Sequence, residues 1–255
     1  MIPLLSYREL IKNLVLKDLK LKYRGSALGF LWSLANPLMV ICVYSFVFTR
    51  MLRADIPNFA FFLLVGFLPW GFFSQSVTMA TGSIIENGSL LRKVWLPSEV
   101  FPIATVIFNL VQFLLALVVL LPAAVVLFRL HLSWSAVGFV PILFLHVLFT
   151  LGLSFAVSTA TVFYRDVRHF TEIFMMLLFW FTPIIYDIHS LPESVKGLVR
   201  LNPASFFIIG YQDVLYRQVF PELETFAAQI VFCLLSLGLG YTLFCRCKAH
   251  FPEEV

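Results

Sequence analysis

The side chains able to do chemistry are few and scattered. His131, His146, His169, His189 and His250 lie far apart, with no spacing that would close a metal shell. Cys42 and Cys233 fall in apolar stretches, and Cys245 with Cys247 makes a lone C-x-C, so reduced thiols are expected. No G-x-x-x-x-G-K-[ST] run is present to cradle a nucleotide's phosphates. His146 sits in an apolar run and reads as a hydrogen-bonded structural histidine. The one grouping of acid and imidazole is Asp187, His189 and Glu193. A membrane enzyme acting on lipid-linked sugars would need such a group, but this spacing matches no catalytic motif.

Of the 255 residues, 60% are hydrophobic and 13% charged, and the mean hydropathy is +0.93. A soluble domain of this length could not hide so much apolar surface, so the composition predicts a polytopic helical membrane protein. The net charge of +4 is read through its distribution over loops, not as a nucleic-acid patch. None of the 14 acidic residues falls in mid-span, Glu172 coming nearest. Ion-coupled transporters usually carry intramembrane carboxylates, so the energy for transport is expected from outside the chain. Gln75, Asn109 and Gln112 read as helix–helix hydrogen-bonding residues.

The elements that must position these groups are six expected spans, at 34–48, 59–79, 100–128, 136–162, 170–186 and 226–245. The first and fifth are short or interrupted. Pro37 is expected in the first turn of its helix and Pro102 near the start of the third, while Pro122 and Pro141 should bend theirs. Six spans leave both termini on one side. With that side cytoplasmic, Arg8, Lys12, Lys17, Lys20, Lys22, Arg24, Arg92, Lys93, Arg165, Arg168, Arg246 and Lys248 lie inside. Arg50, Arg53, Arg129, Lys196, Arg200 and Arg217 lie outside, and the excess of basic residues favours both termini inside. The N-terminus has neither a basic n-region nor a small-residue cleavage site, so Met1 is expected to remain.

Residues 9–17 are amphipathic, with Leu10, Ile11, Leu14 and Val15 opposite Glu9, Asn13 and Lys17, as in a helix lying in the membrane interface. Residues 83–97 and 164–169 are short polar connections able to present a small helix to a partner. Residues 177–203 open as a span that Pro183 breaks, then continue through Leu191-Pro192 and Asn202-Pro203. Two readings stay open on pattern: half-helices dipping into one membrane face, or a loop with an interfacial helix. A break at membrane depth is tolerated only where protein or a water-filled cavity covers it. The aromatic clusters at 69–73 and 179–181 fit either a membrane-boundary belt or a pathway for an amphipathic ligand such as a sugar chain.

The run Lys22-Tyr23-Arg24-Gly25-Ser26-Ala27-Leu28-Gly29-Phe30-Leu31-Trp32, followed by Asn36-Pro37-Leu38, resembles the N-terminal signature of ABC-2 type transporter permeases for bacterial polysaccharides. The similarity continues through Pro69-Trp70-x-Phe72-Phe73, residues 90–97, Tyr164-Arg165-Asp166, residues 179–186, Leu191-Pro192 and Leu201-Asn202-Pro203. The O-antigen and capsule exporters are the nearest branch. The resemblance implies an all-α, six-span fold forming one transmembrane domain over residues 1–255. Within it, residues 1–30 are the cytoplasmic interface helix, 34–186 spans one to five, 187–225 an external re-entrant region and 226–255 the last span and tail.

The same resemblance implies a homodimer in the bacterial inner membrane, bound to two copies of a separate ATPase that holds ATP and magnesium. This chain would then have no cofactor and no catalytic residue, and would move a lipid-linked glycan outward. Teichoic acid, drugs or small lipids are the alternative cargoes, and the membrane enzyme is a further reading. Under the resemblance, Tyr23, Arg24 and Trp32 belong to the interface-helix signature. Glu86, Arg92, Lys93, Arg165, Asp166 and Arg168 face the ATPase. Trp70, Phe72, Phe73, Trp180 and Tyr186 are the candidates for an aromatic pathway.

Overall fold

The computed structural model describes residues 7–26, 29, 31–53, 55–93, 96–129 and 133–254. His131 and residues 27, 28, 30, 94 and 95 of the motifs above lie outside them. Every regular element among the described residues is helical. In chain order they begin with α1 (Arg8–Tyr23), α2 (Leu31–Phe46, continued as a π-helical turn Val47–Met51), α3 (Phe59–Ser83) and α4 (Gly88–Lys93). Then come α5 (Val100–Phe128), α6 (Phe139–Phe163), α7 (Val167–Trp180), α8 (Glu193–Arg200), α9 (Pro203–Tyr211) and α10 (Leu223–Cys247). Among the described residues, five stretches are long and apolar enough to cross a membrane: Leu31–Met51, Phe59–Ser83, Val100–Phe128, Trp134–Phe163 and Leu223–Glu254.

The expected span at 100–128 coincides with α5, and the other long spans extend a few residues beyond their expected ends. The expected span at 170–186 is not one helix. α7 has 14 residues, or about 21 Å of rise, against a hydrocarbon core of about 30 Å. It stops at Trp180, before the residue that Pro183 would force out of the helical region. Two proline expectations also need correcting. α2 starts three residues earlier than expected, so Pro37 lies in its interior. α6 starts at Phe139 behind a 3₁₀ turn, so Pro141 falls in its first turn, where a missing N–H is harmless and no bend is required.

α3 is the axis of the bundle. It is apolar on all sides and packs on α5, α6 and α7, as a helix without a polar face must. α2 is its opposite: Leu34, Ile41 and Tyr44 pack toward the core, while Leu31, Leu38, Met39, Val43 and Phe46 are left exposed by the rest of the chain. α6 and α10 form the most extensive helix pair. A methyl on Gly240 would overlap the Gly152 backbone there, one on Gly152 would overlap the backbone of Ser236 and Leu237, and Ser236 Oγ donates to the Phe149 carbonyl at 2.8 Å. Small residues that let backbones meet are how apolar helices associate when lipid tails compete equally for contact.

The alternating helices sort the connections into two ends. At one, Leu14 and Val15 of α1 join Ile84, Leu91, Val100, Phe155, Phe244 and Phe251 in one cluster, and Lys248 Nζ reaches Glu99 at 2.6 Å. This is the amphipathic stripe expected of residues 9–17. At the other end Tyr216 donates to the Pro57 carbonyl at 2.6 Å, and Arg200 pairs with Glu224 at 3.5 Å.

The break after α7 lies at this second end and is covered by protein. Asn202 Nδ2 reaches the Phe181 carbonyl at 3.5 Å and Thr182 Oγ1 at 2.8 Å. Ser205 Oγ donates to the same Phe181 carbonyl at 3.4 Å, and Gln212 Nε2 donates to the Pro183 carbonyl at 2.6 Å. The covering element is α9, whose entry is set by Pro203 at its first position and by Asn202, which caps the Ala204 N–H at 3.0 Å. α9 is buried against α3, α6 and α10.

Candidate functional site

Two clefts open beside α3. The first, about 710 Å³, lies between α2, α3 and α7. Tyr44 from α2, Trp70 and Gln75 from α3, and Met175, Phe179 and Trp180 from α7 line it. Phe179 is its hub, with ring centroids 5.9 Å from Trp70, 5.6 Å from Trp180, and 6.5 Å from both Tyr44 and Phe67. Such aromatic walls give an amphipathic guest apolar faces with polar edges nearby. Gln75 and Ser74 supply hydrogen-bonding groups, and Glu172 stands in the wall contributed by α7.

The second cleft, about 510 Å³, lies between α1, α2, α3 and α5 and shares Trp70 and Gln75 with the first. Its polar centre is Gln112 of α5. Gln112 Oε1 accepts from Lys22 Nζ at 2.5 Å, and the Tyr23 and Ser33 hydroxyls, bonded to each other, lie 3.1 Å and 3.2 Å from the same oxygen. Lys22 itself opens onto the cleft, yet the protein packed around its ammonium lowers its pKa.

A third feature joins the polar connections at the α1 end. Glu86 lies on a 3₁₀ turn, Ile85–Asn87, between α3 and α4, and Arg168 lies in the first turn of α7. Arg168 reaches Glu86 at 3.3 Å and Glu172 at 3.7 Å. His169 also lies against Glu172, at 3.6 Å. Gly82 makes room for this, since a methyl there would stand 2.5 Å from Glu86 Oε1. Burial pushes the Asp18 carboxyl of α1 up, with Lys17 opposing and Glu86 adding to the shift. α1, the turn after α3 and α7 therefore share one charged edge.

The sequence-derived candidates distribute as follows. Arg92 and Lys93 are exposed on the last turn of α4, and Arg165 and Asp166 are exposed in the turn before α7. Tyr23 ends α1, Arg24 follows it exposed, and Trp32 is exposed on α2 beside the second cleft. Trp70 and Trp180 line the first cleft, and Phe72 the second. Phe73 packs in the core between His146 and Phe149. Tyr186 donates to the Trp180 carbonyl at 3.2 Å, within the break itself.

Sequence reasoning did not single out Phe179, Tyr44 or Lys22 as site residues. Phe179 stood in a noticed cluster and Lys22 opened the N-terminal signature without being assigned a role; nothing local marked Tyr44. His146 is a structural histidine, stacked 4.9 Å from Phe207 with Nδ1 3.3 Å from Tyr211 OH. Asp187 and Glu193 are held apart in ion pairs, with Arg217 at 2.5 Å and Lys196 at 2.7 Å, so the acid–imidazole grouping does not converge. The described residues include no group of histidines, cysteines and carboxylates able to hold a metal ion.

The arrangement is a helical bundle with two clefts beside α3 and a charged edge at the α1 end, and comparison with known proteins gives its class. The family described as ABC-2 type transporter matches residues 9–216, and the chain belongs to that family. It is 34% identical over 254 residues to the O-antigen export system permease protein RfbA of Myxococcus xanthus, covering 99% of this chain and 97% of that one. It is 31% identical over 246 residues to a Klebsiella pneumoniae protein of the same name, covering 96% and 94%. It is 23% identical over 247 residues to the polysialic acid transport protein KpsM of Escherichia coli, covering 92% of each.

Proposed function

We propose that this chain is the membrane-spanning permease subunit of an ATP-driven exporter that moves lipid-linked polysaccharide outward across the bacterial inner membrane. The observation that carries this reading is end-to-end similarity to O-antigen export permeases; the aromatic cleft between α2, α3 and α7 supports it. Sugar rings present apolar faces and hydroxyl edges, which suits a wall of Trp70, Phe179 and Trp180 interrupted by Gln75 and Ser74.

The active unit is a homodimer in this reading. α2 and α7 border the first cleft and leave their outer faces uncovered, with Phe46 63% and Ile173 56% exposed. A second copy against these faces would close the cleft into a passage. α7 serves as the fifth of six spans, completed by the turn at 181–186, while α8 and α9 are the re-entrant pair. The α1 end is cytoplasmic because it carries the larger share of the basic residues. Two copies of an ATPase holding ATP and magnesium dock there, on Glu86, Arg92, Lys93, Arg165, Asp166 and Arg168. A partner can shift the permease only if its two nucleotide states contact this edge differently.

Deletion of the chain tests the reading. Polysaccharide should be made but retained inside the cell on its lipid, and be absent from the surface. Retention of teichoic acid or a small lipid instead would assign the alternative cargo. Normal surface polysaccharide would overturn the proposal.

A further inference from the structure

Among the described residues that line the first cleft, Glu172 is the one charged side chain, and Ser74, Gln75 and Thr78 supply neutral polar groups. Helical spacing places the carboxylate there. Glu172, Met175, Met176 and Phe179 fall at i, i+3, i+4 and i+7 of α7, on one face of the helix, and all four line the cleft. Glu172 is the sixth residue of α7, about 8 Å along the helix from its start. It therefore stands at the α1 end of the cleft, with Phe179 and Trp180 at the far end. The neighbouring cation does not cancel its charge. Arg168 lies 3.3 Å from Glu86 and 3.7 Å from Glu172, so one guanidinium is shared by two carboxylates. His169, 3.6 Å from Glu172, adds charge only when protonated. With the imidazole neutral, the group is net negative. Holding Arg168 needs no carboxylate in the cleft, since Glu86 makes the shorter contact from outside it. The Glu172 side chain stays 45% exposed beside the aromatic wall, open to a guest.

We infer that Glu172 sets the charge class of the glycan that this cleft admits, accepting uncharged sugars and repelling polymers that carry a carboxylate on each repeat. The inference rests on the polysaccharide-export reading. Charged side chains lining a passage select by sign, and a like charge set against the wrong guest is how a binding site rejects it. Low-dielectric walls strengthen the effect by focusing the field along the cleft. The carboxylate oxygens accept hydrogen bonds from the hydroxyls of a neutral sugar, whereas a uronate brings them another negative charge. In a dimer closed over this cleft, each copy contributes a Glu172 to the passage. A charge carried once per chain, at the lipid end, meets this barrier once; a charge on every repeat meets it at every step.

The full chain, purified in uncharged detergent at pH 8, where histidine is neutral, is titrated with hexagalacturonate and with its uncharged amide, which has the same skeleton. Binding is followed by tryptophan emission, since Trp70 and Trp180 line the cleft. The parent should bind the amide at least about tenfold more tightly than the acid. Glu172→Gln should bring the two affinities within about threefold of each other, mainly by strengthening the acid. Glu193→Gln makes the same charge change on exposed α8, away from the cleft, and should leave the difference at its parent value. Should Glu172→Gln fail to fold, Glu86→Gln carries the test, because it leaves Arg168 to Glu172 alone and should shrink the difference. Equal affinities in the parent, a difference that survives Glu172→Gln, or one that closes equally in Glu193→Gln overturns the inference and leaves the export reading standing. Binding of neither saccharide overturns the inference together with the cleft as a glycan passage. A Glu172-dependent difference in a chain whose deletion leaves surface polysaccharide normal would remove the export reading and leave the charge selection standing.

Discussion

Arg168 Nη1 lies 3.3 Å from Glu86 Oε1, and this pair joins the turn after α3 to the first turn of α7. The far end of α7 carries Phe179 and Trp180, which wall the first cleft. The 83–97 connection is therefore linked to the first cleft through one ion pair and one helix. Both side chains are exposed, so the pair adds little to stability, about 1 kcal/mol or less. Arg168→Glu should leave melting within about that range and reduce export, while the swap Glu86→Arg with Arg168→Glu restores part of it. Hydrolysis by the co-purified ATPase, measured beside export, checks this. Arg92→Glu with Lys93→Glu should instead weaken assembly with the ATPase, because charges at a protein contact set register and partner choice.

The break after α7 makes a separate prediction. Gln212→Leu strips the Pro183 carbonyl of its donor, and Asn202→Ala removes both the bond to Thr182 and the cap of α9. Each should lower stability by about 1–3 kcal/mol. Thermal unfolding in detergent reads it out, with Ser194→Ala, at an exposed position of α8, as the comparison.

Much of the fold is legible in the sequence, and the misses have physical causes. α5 is legible to the residue because its long apolar run carries no charged residue and ends at charged Arg129. The end of α7 is not, because Phe181, Ile184 and Ile185 keep hydropathy high after the helix has stopped. Hydropathy records the burial of these residues, not their backbone. The carbonyls freed there are met by Asn202 and Gln212, roughly 20 to 30 positions away, where the partnership has no local signature. The Lys22–Gln112 contact spans 90 positions, and Gln112 alone reads as an ordinary helix-pairing residue. The aromatic clusters were visible as clusters, but which ring faces a cleft and which the core depends on helix rotation. Trp70 and Phe73 stand three positions apart in the motif with ring centroids 5.6 Å apart, yet only Trp70 lines the first cleft.

The α6–α10 contact predicts a sharp positional contrast. Gly240→Ala would drive a methyl into the Gly152 backbone, whereas Gly238→Ala meets nothing within 4 Å. The first should lose several kcal/mol or fail to accumulate, since overpacking a rigid backbone contact has no rotamer to relieve it. The second should be neutral or slightly stabilising, as alanine is the better helix former. Folded yield by size-exclusion chromatography separates them.

Orientation is testable with single reporter cysteines in a chain whose four native cysteines are replaced. Ser194→Cys, on α8, should be labelled by a membrane-impermeant reagent from outside. Ser89→Cys, on α4, should be labelled only after permeabilisation.

The central claim is that polysaccharide passes along the wall formed by α2, α3 and α7. A photo-crosslinking residue placed at Gln75 or Met176, which line the first cleft, should capture the glycan in exporting cells. The same residue at Val118 or Val126, on the exposed face of α5, should capture only lipid. Glycan adducts at Gln75 and Met176 that disappear when the ATPase is inactivated are the result this account predicts. Equal glycan capture at all four positions, or capture at the α5 face alone, would contradict it.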